Sequence, residues 1–177
     1  MELQHLQTNL LSLIKSRECE LALSDNYLSC VAASDNLKFI RKSALWWRRI
    51  QIEKYCPLTT NLLKASEKFE LEVSDFFTEC NYSIFREEVG IQFLEFIISK
   101  NLNALQQCVS EFELSVIQLK LGKKIVYKKE WLFEPYAIIS ALIKNSFTAD
   151  SLTSGKFVVG VSYKYKKNLF NVKKIKN

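Results

Sequence analysis

The spacing of apolar residues changes near residue 122, and this change constrains the fold more than any other feature of the sequence. Before it, apolar residues recur three or four positions apart, the period of an amphipathic helix. One such stripe consists of Phe85, Val89, Phe93, Phe96 and Ile97. After it, large residues alternate as in a half-buried strand, at Phe157, Val159, Val161, Tyr163 and Tyr165. We therefore predict an α+β protein in which a helical bundle precedes a small antiparallel sheet.

The first 120 residues are predicted to form a bundle of five or six helices. Segments with helical spacing lie at residues 2–23, 36–54, 57–68, 74–77, 83–97 and 102–119. We expect Asp35 to cap the helix that starts at residue 36, Pro57 to open the next one and Gly122 to end the last. Residues 24–34 are polar, so we expect a loop with one short turn there.

The last third of the chain is predicted to form a strand, a helix and a hairpin. Residues 124–127 and 131–133 favour a strand, and Pro135 opens a helix. Residues 157–165 and 169–175 form the hairpin strands, with 166–168 as the turn. This order is the plan of a winged-helix-like module. We therefore predict a helical bundle over residues 1–120 and a basic strand-helix-hairpin module over 121–177 packed on it.

Charge follows the same division of the chain. Residues 120–177 contain thirteen Lys, no Arg and three acids, whereas residues 1–119 contain twelve basic and sixteen acidic residues. A strand-rich segment with this excess of lysine is suited to an acidic partner. A sheet edge suits an extended peptide or a nucleic-acid backbone.

The sequence predicts no targeting or membrane-spanning segment. Polar and charged residues interrupt the Leu-rich start, which is unlike the apolar core of a signal peptide. No run approaches the roughly 20 apolar residues that span a bilayer. We expect a cytoplasmic protein without a membrane partner.

The cysteines and the single histidine argue against a metal site made by this chain. The cysteines have no C-x-x-C spacing, and His5 is the only histidine. The five cysteines are Cys19, Cys30, Cys56, Cys80 and Cys108. We expect reduced, mostly buried thiols. Cys56 is the candidate for a reactive thiol, because it precedes Pro57 at a predicted helix start, where a thiolate is favoured.

No catalytic residue and no cofactor of this chain is predicted. The four glycines fit neither a phosphate-binding loop nor a dinucleotide fingerprint. The carboxylate pairs Glu87/Glu88 and Glu111/Glu113 point to different faces of predicted helices, so we expect them on the solvated surface. The chain is therefore predicted to do no chemistry alone.

A dense basic and aromatic cluster lies on the helix predicted at residues 36–54. It consists of Arg41, Lys42, Trp46, Trp47, Arg48 and Arg49. One interpretation is a core helix with a solvated basic face, in which one tryptophan lies toward the rim. The other is an interface anchor, since Trp and Arg dominate binding hot spots. The predicted partner interface is then Trp46, Trp47, Arg48 and Arg49.

Three kinds of binding function are compatible with these patterns. A nucleic-acid-binding module would place the lysines of the C-terminal hairpin on phosphates, but the absence of Arg after residue 86 argues against sequence readout. A membrane-surface role fits less well, because the lysines lie on strand-like sequence. A peptide-recognition protein fits better, since an exposed strand edge can pair with an extended acidic peptide.

Four segments carry a resemblance to a known family. They are WWRRIQIEKYCPLTTNLL from Trp46, VSDFFTEC from Val73, YSIFREEVGIQFLEFI from Tyr82 and SEFELSVIQLK from Ser110. Together with the small sheet and the chain length, they resemble a bacterial family of proteins that accompany iron-dependent peptide-modifying oxidases. The chain is most similar to the non-catalytic, leader-binding members of methanobactin biosynthesis.

The resemblance implies a heterodimer with an iron-containing oxidase. That oxidase would carry the iron and, with dioxygen, convert cysteines of a ribosomally made precursor peptide into oxazolone and thioamide groups. This chain would hold the leader of the precursor and would contribute no cofactor.

We place the leader along two predicted strands, where side-by-side pairing would satisfy unpaired backbone groups. The peptide-binding residues are Lys124, Ile125, Val126, Tyr127 and Lys128, and Phe157, Val159, Val161, Tyr163 and Tyr165. The alternative is a capping sheet whose Phe157, Val159 and Val161 pack on the bundle. Both hold if one face packs while an edge binds, and the sequence leaves open which edge is free.

Overall fold

The protein, in a computed structural model, is described over residues 3–14, 26–80, 86–100, 103–123, 126–148, 152–165 and 169–175. The helices in these ranges are α1 (Leu3–Ile14), α2 (Asn26–Ala33), α3 (Asp35–Tyr55), α4 (Pro57–Ala65), α5 (Phe69–Glu79), α6 (Arg86–Ser99), α7 (Ala104–Lys120) and α8 (Pro135–Ile143). The strands are β1 (Tyr127–Phe133), β2 (Ser154–Val161) and β3 (Phe170–Lys174). A mostly helical chain thus ends in one small antiparallel sheet, and the predicted α+β class is confirmed.

Seven helices precede the sheet in the described ranges, so the prediction of five or six was wrong. The additional helix is α2, which lies where a loop was expected. Leu28 of α2 is fully buried against Leu13 and Leu37, so tertiary packing outweighs the polar character of the segment. None of the helices in these ranges is both long and apolar enough to cross a membrane.

Helix α5 begins at Phe69, five residues before the expected cap at Ser74. Phe69, Val73 and Phe76 recur at spacings of four and three residues, and each is at most 2% exposed. This apolar stripe starts the helix at Phe69, because burying Phe69 requires helical geometry from that residue onward. Ser74 therefore lies inside α5.

The start of α3 also differs from the prediction by one residue. The Ser34 hydroxyl accepts the backbone N–H of Leu37 at 3.2 Å. Asp35, the predicted cap, is the first helical residue instead. An acidic side chain in the first turn still complements the helix dipole.

Three other helix boundaries follow the predicted signals, at Pro57, Pro135 and Gly122. Pro57 opens α4 and Pro135 opens α8. Helix α7 begins at Ala104, two residues after the predicted start, and the side chain of the preceding Asn103 accepts the backbone N–H of Gln106. It ends before Gly122, whose φ of 82° is the left-handed conformation that stops a helix.

The chain divides into two compact units. The first unit comprises Met1–Ile50 and Val73–Tyr82, and the second comprises Gln51–Glu72 and Ser83–Asn177. The second unit includes α4, α6, α7, α8 and the whole sheet. The separate module at residues 121–177 stays a prediction.

The three strands pair antiparallel in the order β1-β2-β3. Tyr127 lies opposite Val161, which lies opposite Phe170. Helix α8 falls between β1 and β2, so the predicted order of strand, helix and hairpin is confirmed. Strand β2 is therefore central, and β1 and β3 form the outer edges of the sheet.

Strand β2 lies nearer the N-terminus than the predicted strand at 157–165. It starts at Ser154 and ends at Val161. The chain turns after it, because Tyr165 donates its backbone N–H to Ser162 and Leu169 donates to Tyr165. Tyr163 and Tyr165 therefore follow the strand, and the predicted turn at 166–168 lies outside the described residues.

One face of the sheet packs on helices of the second unit. Trp131 of β1 is 1% exposed, and its ring meets Phe112 of α7 edge to face, with centroids 6.0 Å apart. Val159 of β2 and Leu142 of α8 are fully buried in the same cluster. This packing leaves the other face and the outer edges of the sheet as the surfaces available for binding.

Candidate functional site

The outer edge of β1 is the longest unpaired strand edge in the part of the chain that the structure describes. Strand β2 has neighbours on both sides, whereas β1 and β3 each have one. Strand β1 has seven residues and β3 has five. An edge strand presents unpaired N–H and C=O groups, so it can pair with an extended chain.

A small pocket lies between β1 and the first turns of α7. Its lining residues are Ala104, Leu105, Gln107, Cys108 and Lys129–Phe133. None of these described lining residues belongs to β2, so the pocket lies on the outer side of β1. Its volume is about 150 Å³, the space of about five water molecules. Every second side chain of a peptide paired with β1 would point toward α7, so the pocket is positioned to receive one.

The pocket favours an uncharged side chain. The Cys108 thiol donates to the Glu130 carbonyl oxygen at 3.8 Å. Burial raises the pKa of this thiol, so it stays protonated at neutral pH. The Lys129 ammonium lies 2.6 Å from each carboxylate oxygen of Glu111, which compensates its charge. Leu105 and Phe133 make the rest of the wall apolar.

The outer face of the sheet carries a second, larger hollow of about 410 Å³. It centres on a cross-strand row formed by Lys128, Gly160 and Asn171. The Tyr165 hydroxyl lies 3.3 Å from the position that a Cβ at Gly160 would take, so only glycine leaves this space open. The exposed Lys128 and Lys173 line the hollow and make it basic. A carboxylate or a phosphate is the group that suits it.

Half of the predicted peptide-binding residues line this hollow. They are Val126, Tyr127, Lys128, Val161 and Tyr165. Lys124 and Ile125 lie outside the described residues. Tyr163 lies elsewhere, because its hydroxyl donates to the Leu119 carbonyl oxygen at the end of α7. The hollow thus lies between the start of β1 and the turn that follows β2.

Phe157, Val159 and Val161 have their side chains in the core. They are 6%, 0% and 0% exposed. Strand β2 also uses both of its edges for β1 and β3. A peptide therefore cannot reach these three residues by strand pairing. Their side chains pack in the core, and the outer edge of β1 stays available for pairing.

Tyr127 links the hollow to the core. Its hydroxyl accepts the Trp131 indole N–H at 3.4 Å. Burial raises the pKa of Tyr127, so the phenol is neutral at physiological pH. The side chain therefore acts as a fixed wall and does not take part in proton transfer.

The predicted partner interface lies on α3 in the first unit. Trp46 and Trp47 are 54% and 61% exposed, and their rings meet edge to face at 5.1 Å. Neither ring is in the core, although one was expected toward it. The Arg48 guanidinium lies 5.0 Å from the centre of the Phe77 ring, and Arg49 is half-buried. The structure thus presents the two indoles together, flanked by arginines.

The Cys56 thiol is buried, as expected for most of the thiols, and it does not have the raised reactivity for which it was the candidate. It is fully buried and donates to the Gly90 carbonyl oxygen at 3.3 Å. Burial and the nearby Glu113 raise the pKa of this thiol. The carboxylate of Glu113 occupies the helix N-terminus that was expected to favour a thiolate, since it accepts the N–H groups of Leu58 and Thr59 at 2.8 Å each.

The other cysteines that the structure describes are not part of a metal site. Cys30 is exposed, Cys80 is half-buried and Cys108 is buried, while Cys19 lies outside the described residues. Within the described ranges, no group of three His, Cys, Asp or Glu side chains could hold a metal ion. His5 is exposed on α1.

Sequence reasoning missed the pocket beside β1 and the role of Glu113. The pocket joins Leu105 and Cys108 to residues more than twenty positions away, and no local pattern encodes that contact. Glu113 was expected on the surface but is 4% exposed. One available signal was Gly160, because an isolated glycine within a strand often marks a close approach.

These features define a mostly helical α+β protein with a basic three-stranded sheet and a free edge strand. No protein-family model matches the chain, and no curated protein or solved structure matches it significantly. The outer edge of β1, the pocket beside it and the basic hollow are therefore the observations from which a function can be argued.

Proposed function

We propose that this chain is the non-catalytic, peptide-holding member of an iron-containing peptide-modifying oxidase complex. The resemblance to the leader-binding proteins of methanobactin biosynthesis names the reaction, in which the oxidase converts cysteines of a precursor peptide into oxazolone and thioamide groups. The observation that carries the proposal is the outer edge of β1 with an apolar pocket beside it. An extended leader peptide is the ligand that uses both features together.

In this proposal the leader adds to the sheet as a fourth strand next to β1. Backbone hydrogen bonds along β1 supply affinity for an extended chain, and the pocket by Leu105 and Cys108 selects one apolar side chain. The basic hollow at Lys128 and Lys173 attracts an acidic residue near the start of β1. The preferred leader therefore combines an apolar residue with a neighbouring acid.

The iron belongs to the oxidase in this proposal, and this chain acts by positioning the substrate. Trp46 and Trp47 are the proposed anchors of the oxidase, since large exposed aromatic side chains flanked by Arg are typical of interface hot spots. Holding the leader on one protein raises the effective concentration of the core peptide at the iron of the other.

The test is co-expression with a candidate iron oxidase and its precursor peptide, followed by size-exclusion chromatography and mass spectrometry of the peptide. We expect a one-to-one complex that modifies the precursor. Ala104→Trp, which fills the pocket beside β1, should weaken leader binding at least tenfold. Ala137→Trp is the matched control, because Ala137 is also an exposed alanine in a first helical turn and lies away from the pocket.

The outcomes separate the two parts of the proposal. Failure to form any complex would discard the oxidase partner. A working complex in which Ala104→Trp and Ala137→Trp behave alike would move the leader away from β1. N-methylation of alternate leader residues should also abolish binding, because each methyl group removes one donor from the strand pairing.

Nucleic-acid binding is the second candidate, and the exposed lysines on the sheet favour it. Lys128, Lys156, Lys173 and Lys174 are all exposed on the strands. A nucleic-acid binder should lose affinity for any duplex linearly with the logarithm of salt concentration. A leader-binding protein should instead keep its preference for one peptide at a fixed salt concentration.

A further inference from the structure

The side chains of the basic and aromatic cluster on α3 lie in two different places. Trp46 and Trp47 face outward, whereas three neighbouring cations line a separate pocket in the first unit. The lining residues of this pocket are Ile14, Arg41, Lys42, Leu45, Arg48, Ser74, Phe77 and Thr78. Three of these described lining residues are cationic, and none of the eight is acidic.

Two of the cations are held in place by the fold. The Arg41 Nε donates to the Leu13 carbonyl oxygen at 2.7 Å, which fixes the plane of its guanidinium. The other N–H donors of a guanidinium lie on its two terminal nitrogens. The Arg48 guanidinium is held over the Phe77 ring, with its carbon 5.0 Å from the ring centre. A guanidinium that is positioned in advance loses less entropy when it binds an anion.

The rest of the pocket adds one hydroxyl and one mobile cation. The Thr78 hydroxyl donates to the Ser74 carbonyl oxygen at 2.9 Å, so Ser74 is the residue whose hydroxyl can be directed to a ligand. Lys42 is exposed, and its ammonium can turn toward an anion in the pocket. The volume of about 160 Å³ is the space of about five water molecules, which suits one tetrahedral anion.

We propose that the pocket between α3 and α5, formed by Arg41, Lys42, Arg48 and Ser74, binds a single phosphate group. A phosphate carries a charge of about −1.5 to −2 at pH 7 and three strong acceptor oxygens. It therefore matches several cations and a hydroxyl better than a carboxylate does. Guanidinium groups bind phosphate through paired hydrogen bonds, which is the geometry that two positioned arginines can supply.

The phosphate can come from the free ion or from a phosphate monoester. Ile14, Leu45 and Phe77 form an apolar side of the pocket next to the cations. An ester can place its carbon chain on that side, whereas inorganic phosphate uses only the polar groups. Comparing the two ligands therefore identifies the source.

The experiment is a titration of the full chain with inorganic phosphate, O-phosphoserine and acetate at constant ionic strength, followed by calorimetry. We expect saturable binding of phosphate, and Lys42→Gln should weaken it at least fivefold. Lys38→Gln is the matched control on the same helix, since Lys38 is exposed and does not line the pocket, and it should change the affinity less than twofold. Ser74→Ala is a second variant without a charge change, and it should weaken binding at least twofold.

Each outcome bears on the proposal. Tighter binding of O-phosphoserine would identify an ester as the ligand, and binding of inorganic phosphate alone would identify the free ion. Equal binding of acetate, equal losses in Lys42→Gln and Lys38→Gln, or no saturable binding would each overturn the site. Thermal unfolding of every variant shows that the fold is intact.

Discussion

At the scale of single residues, the Glu113 side chain links α7 to α4 in the second unit. The carboxylate projects from α7 and accepts two backbone N–H groups at the start of α4, from Leu58 and Thr59. An anion is favoured at a helix N-terminus because the helix dipole is positive there. Burial opposes the same charge, since Glu113 is only 4% exposed. The balance between these effects makes the contact dependent on pH.

We predict that the stability of the protein falls as pH rises from about 4.5 to 7 because of Glu113. Burial raises the pKa of Glu113 from 4.5 to about 7, against the lowering effect of its hydrogen bonds and of Lys120. A pKa that is higher in the folded state means that the stabilising effect is complete below the unfolded value and is lost as pH rises through the folded value. The shift in the pKa of Glu113 corresponds to a decrease in the free energy of unfolding on the order of 3 kcal/mol.

Glu113→Gln isolates this contribution, because a glutamine does not titrate. The free energy of unfolding should be measured with denaturant at pH 4.5 and pH 7.5 for both proteins. Between these two pH values, the free energy of unfolding of Glu113→Gln should rise relative to that of the wild type by on the order of 3 kcal/mol. Glu130→Gln, an exposed change on β1, controls for the loss of one formal charge. Parallel pH profiles of wild type and Glu113→Gln would contradict the assignment.

At the scale of secondary-structure elements, α6 lies very close to the junction of α3 and α4. A Cβ placed on Gly90 would lie 2.9 Å from the Tyr55 Cβ and 3.2 Å from the Cys56 Sγ. The Cys56 thiol also donates to the Gly90 carbonyl oxygen. The absence of a side chain at Gly90 therefore allows the backbone of α6 to approach this junction.

We predict that Gly90→Ala destabilises the protein by about 1–3 kcal/mol, because the added methyl group overlaps the Tyr55 side chain near its backbone. Helix propensity alone predicts the opposite sign, a gain of about 0.5–1 kcal/mol. Chemical denaturation of the two proteins decides between them. A variant as stable as the wild type or more so would show that α6 does not approach the α3–α4 junction this closely.

The elements that sequence reasoning located correctly have strong local signals. Proline fixes the starts of α4 and α8, and Gly122 fixes the end of α7. The errors occur where tertiary packing decides. The polar segment around Leu28 is helical because burial of Leu28 in the first unit stabilises that conformation. The end of β2 depends on turn hydrogen bonds after Val161, which residue alternation does not encode.

The candidate site could be predicted only in part. The strand containing Tyr127 and Lys128 was located, but the order of strands was not, and this order decides which edge is free. Alternation correctly identified Phe157, Val159 and Val161 as one face, and this face is buried, as the alternative of a capping sheet predicted. The pocket beside β1 arises from the packing of α7 on the strand, so it requires the three-dimensional structure.

At the scale of the whole molecule, charge and exposed apolar surface point to different partners. The segment 120–177 carries thirteen Lys against three acids, and two of these lysines, Lys128 and Lys173, line the basic hollow on the sheet. The exposed indoles lie on α3, in the other unit. A peptide-holding protein needs one surface for the peptide and one for the enzyme. The sheet suits the first and the indoles suit the second.

We predict that Trp46→Ala combined with Trp47→Ala weakens binding of the proposed oxidase partner at least tenfold without unfolding the chain. Both indoles are more than half exposed, so their removal should change the free energy of unfolding by less than about 1 kcal/mol. In an interface they would be buried, and aromatic anchors of that kind contribute about 2 kcal/mol or more to binding. Surface plasmon resonance against the immobilised oxidase measures the difference.

Leu71→Ala combined with Ile143→Ala is the matched control, because these side chains are 61% and 68% exposed and lie in the second unit. The control should bind the oxidase with nearly wild-type affinity. If the control loses binding while the tryptophan variant keeps it, the oxidase contacts the second unit instead. Leader binding to this chain alone should be unchanged in the tryptophan variant, since the leader is proposed to pair with β1. A variant that loses both activities would mean that the indoles contact the leader itself.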